Sequence, residues 1–188
     1  MQAVAPSRYL TFFVLATGGC LLDLATKHWI FGSLGMPGGQ TKWLVPGVFG
    51  FQTSLNEGAL FGVGQGSVPL LAVLSVAAAV AILYWLFFAG GARSLLITIA
   101  LGSITAGILG NLYDRLGMPH LRWQFAVHGH ALGDPVFAVR DWILVMLGSY
   151  PWPTFNIADS MLVCGAILMV WQAFRGDGPR KKEEPSHG

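Results

Sequence analysis

Four long apolar stretches restrict what this 188-residue chain can fold into. A helix that crosses a lipid bilayer needs about 20 mostly apolar residues. Residues 9–31, 68–89, 94–113 and 155–174 each meet that requirement. Only 11% of the residues are charged and the mean hydropathy is +0.59, whereas about a quarter of the residues of a soluble domain are charged. The sequence therefore predicts an all-α membrane protein with four transmembrane helices.

The segments between these helices differ in character. Residues 33–66 combine Gly and Pro with short stretches typical of β-strands, which predicts a small extracytoplasmic β-rich element. Residues 142–147 are apolar but too short to span a bilayer, and we interpret them as interfacial. The length of the chain suits a single membrane domain over residues 1–188, with a polar tail at 175–188.

The basic residues predict the orientation of the chain. An even number of spans places both termini on one side of the membrane, together with six of the eleven Lys and Arg residues. Because cytoplasmic loops are enriched in Lys and Arg, and because the short loop at Arg93 flanks two helices, we expect both termini in the cytoplasm. The polar residues at the opposite helix ends then lie together near the extracytoplasmic face: Asp23, Asp114, Asp141, Asp159, Asn56, Asn111 and Asn156.

Composition argues against two other features. The net charge is only +2, and the one basic cluster, 180–182, is followed directly by two glutamates, so we expect no nucleic-acid partner. Cys20 and Cys164 both lie within apolar stretches near opposite ends of the chain, and we predict buried, inert thiols without a disulfide.

Two aspartates lie at the edges of apolar stretches. Asp159 is the only charged residue in 155–174, and Asp141 directly precedes 142–147. Ionisable groups are costly at membrane depth and mark functional sites. Two carboxyls at one site titrate at different pH values and supply one base and one acid, which is what peptide hydrolysis by water requires. The pair predicts an aspartyl peptidase, although Asp159 could simply cap a helix and Asp141 could be an ordinary loop acid.

Further polar residues could support such a site. Asp23 and Lys27 are four residues apart on a predicted helix and can pair, either as a structural ion pair or in support of the site. Asn56, Asn111 and Asn156 carry amides that both donate and accept hydrogen bonds, which suits them to hold a peptide backbone or to orient carboxylates. Each asparagine could instead be an ordinary turn residue.

Four short motifs, in order, resemble those of the bacterial lipoprotein signal peptidases, or signal peptidase II. They lie at residues 23–27 (DLATK), 56–62 (NEGALFG), 110–115 (GNLYDR) and 155–159 (FNIAD), within a resemblance that covers about 23–173. The resemblance implies a peptidase of the bacterial inner membrane that cuts diacylglyceryl-modified prolipoproteins before the lipidated cysteine. It implies this substrate and membrane lipid as partners, and no cofactor.

The resemblance also implies roles for particular residues. In the family, an aspartate usually follows the third motif closely. Here the best match is Asp141 in 139–143, which precedes Asp159 by the interval usual in the family, so we interpret residues 117–135 as an insertion. The catalytic pair is then Asp141 and Asp159. The implied substrate-binding or site-supporting residues are Asp23, Lys27, Asn56, Gly58, Asn111, Asp114, Arg115 and Asn156.

The main alternative is a small transporter or proton relay that uses the same carboxylates. A relay needs polar groups at several depths of the membrane. The predicted helix 68–89 offers only Ser75 and Tyr84, and the polar residues gather at one face instead. This distribution favours a catalytic site at one face of the membrane over a relay that crosses it. A non-enzymatic scaffold would explain the motifs least.

The insertion contains three histidines, His120, His128 and His130. No Cys or Glu accompanies them there, so we expect solvated loop histidines and no metal site. The Gly and Pro residues of 117–135 predict a surface loop, and shortening such a loop should preserve folding. The sequence does not indicate an oligomeric state.

Overall fold

The computed structural model describes residues 4–58, 64, 66–126 and 129–176. Within these residues there are four long helices, each apolar and long enough to cross a membrane. They are α1 (Pro6–Leu34), α2 (Val68–Phe87), α3 (Leu95–Arg115) and α4 (Ile157–Gly176). The predicted fold class is confirmed.

The helices begin where local chemistry satisfies their free backbone N–H groups. α1 and α2 each have a proline in the first turn, where the missing N–H is not needed. α3 follows Ser94, whose hydroxyl oxygen accepts a hydrogen bond from the backbone N–H of Ile97 at 3.3 Å. The start of α4 is built from site residues and is described with the site.

Helix α3 forms the centre of the bundle. In its most apolar part 56% of the residues are buried, against 6% to 17% in the other three helices. Small residues let neighbouring helices approach closely, as is common in membrane proteins. A Cβ at Gly110 of α3 would lie 2.5 Å from Asp23 Oδ2, and one at Gly165 of α4 would lie 2.7 Å from the carbonyl oxygen of Ala100. These glycines therefore bring α1 and α4 against α3.

An antiparallel sheet of four described strands adjoins the helix ends. The strands are β1 (Lys42–Val45), β2 (Phe49–Asn56), β3 (Val139–Leu147) and β4 (Tyr150–Pro151), in that spatial order. In the β2–β3 ladder Ser54 lies opposite Asp141. Strand β3 therefore places Asp141 beside the helix ends.

The sheet corrects one prediction. The β-rich element is not confined to 33–66, because β3 and β4 come from a segment much later in the chain. Residues 142–147 form part of strand β3. The first six residues of β3 are all buried, so the strand lacks the alternation of apolar and polar residues that identifies a half-exposed strand.

The predicted insertion is more ordered than a surface loop. Its two arms form a hairpin, here called the insertion hairpin (residues 121–136), in which Arg122 bridges to Pro135 and Val136 N–H donates to the Leu121 carbonyl at 3.0 Å. Trp123 is only 7% exposed. It packs in a small core with Met36, Val136 and Ala138.

The surface-loop interpretation is therefore wrong at Trp123, although most of the described residues at the hairpin tip are exposed. Three predicted features lie wholly or partly outside the described residues: His128, the later part of the second motif (residues 59–63) and most of the polar tail (177–188).

Candidate active site

Polar side chains from α1, α3, α4 and β3 meet where α3 ends and α4 begins. Burying such groups is unfavourable unless each is hydrogen-bonded or paired. All but one of them were predicted as site residues; the exception is Arg140. The buried members of this cluster are Asp23, Lys27, Asn111, Asp114, Arg140, Asp141, Asn156 and Asp159.

Asp159 lies in the first turn of α4 and shares two hydrogen bonds with Asn156. The Asn156 Oδ1 accepts from the Asp159 backbone N–H at 2.8 Å, and Asp159 Oδ2 accepts from the Asn156 backbone N–H at 3.2 Å. This reciprocal pattern is a capping box. The other oxygen, Asp159 Oδ1, accepts from Asn111 Nδ2 at 2.8 Å. Asp159 therefore caps the helix and also belongs to the polar cluster.

The side-chain amide of Asn156 links the two predicted catalytic carboxyls. Its Nδ2 donates to Asp141 Oδ1 at 2.6 Å and to Asn111 Oδ1 at 3.1 Å. An asparagine amide carries two N–H donors, and these two bonds use both. Because Asp159 bonds to both asparagines, the structure brings Asp141 and Asp159, here called the carboxyl pair, into one hydrogen-bond network.

Burial controls the protonation of Asp141. The side chain is almost inaccessible, at 1% exposed. Loss of hydration disfavours its charged form, and the neighbouring Asp159 adds repulsion, so the pKa of Asp141 is raised to about 8. The charge of Lys27 and hydrogen bonds from Asn156 and Asn56 act in the opposite direction but are smaller. At neutral pH the carboxyl pair therefore holds a proton.

Lys27 connects α1 to α3 in the buried part of the site. Its Nζ lies 2.7 Å from Asp23 Oδ2 and 3.0 Å from Asp114 Oδ2, and it donates to Asn111 Oδ1 at 3.0 Å. An ammonium group has three donors, and these contacts match that number. Asp23 Oδ1 accepts from the Ala158 N–H at 2.9 Å, which ties α1 to the first turn of α4. The predicted Asp23–Lys27 pair is present and fixes helix positions.

Arg140, which the sequence reasoning missed, holds β3 against α3. Its Nε and Nη2 lie 2.9 and 2.8 Å from Asp114 Oδ1, and its backbone N–H donates to Asp114 Oδ2 at 3.1 Å. Arg140 is adjacent to Asp141, so these bonds also fix the position of that carboxyl. The signal in the sequence was a basic residue directly before a predicted catalytic acid.

The described charges of the buried cluster balance once Arg115, on its more open side, and a single proton are included. A buried cluster is tolerated only when its charges compensate one another. Four carboxyls face three cations, so one protonated carboxyl makes the set neutral. This count agrees with a proton on Asp141. The carboxyls are those of Asp23, Asp114, Asp141 and Asp159, and the cations are Lys27, Arg115 and Arg140.

The start of the second motif forms a turn beside the carboxyl pair. Asn56 ends β2, and its Oδ1 accepts from the Gly58 N–H at 2.9 Å. The Gly58 carbonyl accepts from Arg115 Nη2 at 3.0 Å. Asn56 also hydrogen-bonds to the Asp141 carboxyl. The structure therefore brings all ten predicted site residues together, with Asn56, Gly58 and Arg115 on the more open side.

A cavity of about 310 Å³ reaches this side of the site between α2, α3 and α4. Its polar wall includes Asn111, Arg115 and Asp159. Its remaining wall is mostly apolar, which is typical of ligand pockets. A larger cavity of about 660 Å³ lies beside α1 and includes Arg140 but neither member of the carboxyl pair. The smaller cavity therefore borders Asp159, whereas the larger one borders neither carboxyl.

The two described histidines of the insertion, His120 and His130, belong to no metal-binding cluster among the described residues. Across the described ranges, no three His, Cys, Asp or Glu residues are placed to hold a metal ion. His120 is exposed. His130 lies 2.6 Å from Glu57 Oε1 and is 31% exposed. The interpretation of His130 as a solvated loop residue is therefore wrong.

The fold and the site define a multi-pass membrane protein with a buried carboxyl site at the ends of its helices. The family model described as Signal peptidase (SPase) II matches residues 15–175. The chain belongs to this family, and it is a membrane peptidase. Family membership does not favour the transporter or proton-relay alternative.

Individual relatives agree with this assignment. The chain is 44% identical to a lipoprotein signal peptidase of Rhodopirellula baltica, over 99% of this chain and 87% of the relative. It is 32% identical to one of Rhodococcus jostii, over 97% and 83%. It also resembles a solved bacterial membrane enzyme with a TM-score of 0.71 and 25% identity, over 94% of both chains.

Proposed function

We propose that this peptidase removes the signal peptide from diacylglyceryl-modified prolipoproteins, cutting just before the lipidated cysteine, by an aspartic mechanism. Membership of the signal peptidase II family supports the removal of signal peptides. The shared name of the relatives supports a prolipoprotein substrate. The observation that carries the aspartic mechanism is the hydrogen-bond network that Asn156 forms between Asp141 and Asp159.

The two carboxyls take different roles. Asp141 is the acid, because its raised pKa of about 8 keeps it protonated at neutral pH. Asp159 is the base, because both of its oxygens accept hydrogen bonds, Oδ1 from Asn111 and Oδ2 from Asn156, so neither oxygen has to carry a proton. Arg115 lines the same cavity as Asp159 and adds a positive charge there.

Hydrolysis then proceeds in two steps. Asp159 takes a proton from water as the water oxygen bonds to the scissile carbonyl carbon, and Asp141 gives its proton to the carbonyl oxygen. In the second step the C–N bond breaks, Asp159 returns its proton to the leaving nitrogen, and a hydroxyl of the intermediate returns a proton to Asp141. Both carboxyls end in their starting states, so no metal or covalent nucleophile is required.

The surroundings of the carboxyl pair suit a lipid-modified peptide. Asn56 and Gly58 present a fixed turn, and Arg115 holds it, so they can support an extended substrate backbone. The apolar part of the cavity comes largely from α2, which carries exposed apolar side chains along its length. The substrate would approach from the bilayer with its acyl chains remaining in lipid.

The orientation of the chain belongs to the same proposal. Both termini lie in the cytoplasm, and the carboxyl pair lies near the extracytoplasmic face. The loop at Arg93 between α2 and α3 supports this orientation through its position beside two spans. A protease-cleavable tag at the C-terminus should be resistant in intact cells and cleaved in inverted membrane vesicles. Cleavage in intact cells would contradict this orientation.

The substrate is tested by comparing two forms of one purified prolipoprotein, with and without the diacylglyceryl group, in detergent with a metal chelator. We expect the purified protein to cut only the lipidated form, at the bond before the cysteine, and to be unaffected by the chelator. Equal cleavage of both forms would contradict the lipid requirement. Loss of activity with chelator that zinc restores would contradict the aspartic mechanism.

A further inference from the structure

The insertion hairpin touches the substrate side of the site through one contact. His130 Nε2 lies 2.6 Å from Glu57 Oε1, and the two side chains are 31% and 23% exposed. Glu57 lies between Asn56 and Gly58, whose turn (residues 56–58) stands beside the carboxyl pair. A residue of the insertion thus contacts the turn that is proposed to support the substrate.

Packing within the insertion hairpin fixes the imidazole of His130. The ring stacks on Trp123, with centroids 4.8 Å apart and planes 12° from parallel. Trp123 is itself buried. Its backbone N–H donates to the Asp134 carbonyl at 3.0 Å, and its carbonyl accepts from the Gly133 N–H at 2.8 Å. The position of His130 is therefore set by packed structure.

The turn is held on a second side by α3. Arg115 Nη2 donates to the Gly58 carbonyl at 3.0 Å. The turn is thus fixed from two elements that are distant in sequence, the helix α3 and the insertion hairpin. Fixing a binding element in its bound geometry reduces the entropy lost when a ligand binds.

We propose that His130 is a positioning residue, which through Glu57 fixes the turn 56–58 and so raises the affinity for the lipidated peptide. This inference rests on the proposed function. It makes the insertion part of the substrate-binding apparatus, with no direct role in the chemistry. The bonds from Asn111 to Asp159 and from Asn156 to Asp141 do not involve the turn, although Asn56 of the turn also hydrogen-bonds to Asp141. Loss of the contact should therefore act mainly on KM, with a smaller effect on kcat.

The test uses the full-length protein, the lipidated prolipoprotein and four variants. His130→Phe keeps the stacked ring but loses the polar contact, and Glu57→Ala removes the other partner. We expect each to raise KM about two- to fivefold, as the loss of a partly exposed pair implies. The double variant should be no worse than either single variant, because both lose the same contact. Glu57→Gln keeps an acceptor and should recover most of the affinity.

The matched control is His120→Asn, in the segment that leads into the hairpin. His120 is exposed and has a φ of 55°, which asparagine tolerates. The KM of the His120→Asn variant should equal that of the unmodified protein. Melting temperatures separate positioning from stability: a lowered Tm with an unchanged KM in both single variants would contradict the inference. Additive effects in the double variant would also contradict it. Failure of the unmodified protein to cleave would instead overturn the proposed function.

Discussion

Among single residues, Asn156 has two tasks that can be separated. Its Oδ1 caps the first turn of α4 by accepting from the Asp159 N–H, and its Nδ2 links Asp141 to Asn111. The first task stabilises the helix. The second orients the carboxyl pair. A serine can perform the first task but is too short and has too few donors for the second.

Asn156→Ser should therefore lower kcat by about a hundredfold, as expected when a preorganised polar group at a catalytic site is lost. Some stability should also be lost, because Asp141 and Asn111 each lose a buried donor, but the cap is kept. Asn156→Ala is the control for the cap: it should lose activity similarly and be about 1 kcal/mol less stable than Asn156→Ser. Near-normal turnover by Asn156→Ser would contradict the role of Asn156 in orienting the pair.

The protonation of Asp141 predicts the alkaline side of the pH profile. Its pKa in the folded protein is about 8, above the ordinary value of 3.8, so the folded state keeps a proton that the unfolded state has released between these values. Cleavage should fall as pH rises through about 8, because the acid is lost. The contribution of Asp141 to stability should also fall from about pH 4 to 8. A rate that keeps rising above pH 9 would exclude Asp141 as the acid.

Among the elements, the helices and the strands β1 and β2 could be predicted, whereas β3, β4 and the insertion hairpin could not. Each helix needed only its length of apolar residues. Strand β3 is buried along residues 139–144, so its sequence has no alternation to identify it. The insertion hairpin has the Gly and Pro content of a loop, and its buried Trp123 acquires neighbours such as Met36 from a distant segment. Contacts of that kind are set by tertiary structure.

The sequence predicts that shortening the insertion preserves folding, whereas the packing of the insertion hairpin predicts the opposite. Shortening residues 120–133 removes Trp123 from its core, so folding should suffer. The single substitution Trp123→Ala should cost about 3–5 kcal/mol, the usual cost of deleting a buried aromatic side chain. Thermal unfolding in detergent measures this, with Phe125→Ala at a 42% exposed position as the control. Equal melting temperatures for the two variants would show that the hairpin is dispensable for stability.

For the protein as a whole, the motifs predicted the members of the candidate site better than their arrangement. Lys27, Asn111 and Asp114 were expected near the carboxyl pair, and they lie there. The sequence could not indicate that Arg140 completes the charge balance, because nothing in a single Arg reveals whether it is buried. In the sequence, only the interval between Asp141 and Asp159 indicated that they form a pair. In the structure, the bonds from Arg140 of β3 to Asp114 of α3 hold the neighbouring Asp141 at the site.

The central claim is that Asp141 and Asp159 together perform the hydrolysis. The most direct measurement is the rate of cleavage of a lipidated prolipoprotein by purified Asp141→Asn and Asp159→Asn, with melting temperature as the check on folding. Asp134→Asn is the matched control, because Asp134 lies in the insertion hairpin, where its Oδ2 accepts from the Ala131 N–H. We expect both site variants to stay folded and to lose cleavage by at least about a thousandfold, while Asp134→Asn remains active. Near-normal cleavage by folded Asp141→Asn, with cleavage lost in Asp114→Asn, would contradict the central claim and make Asp114 the partner of Asp159.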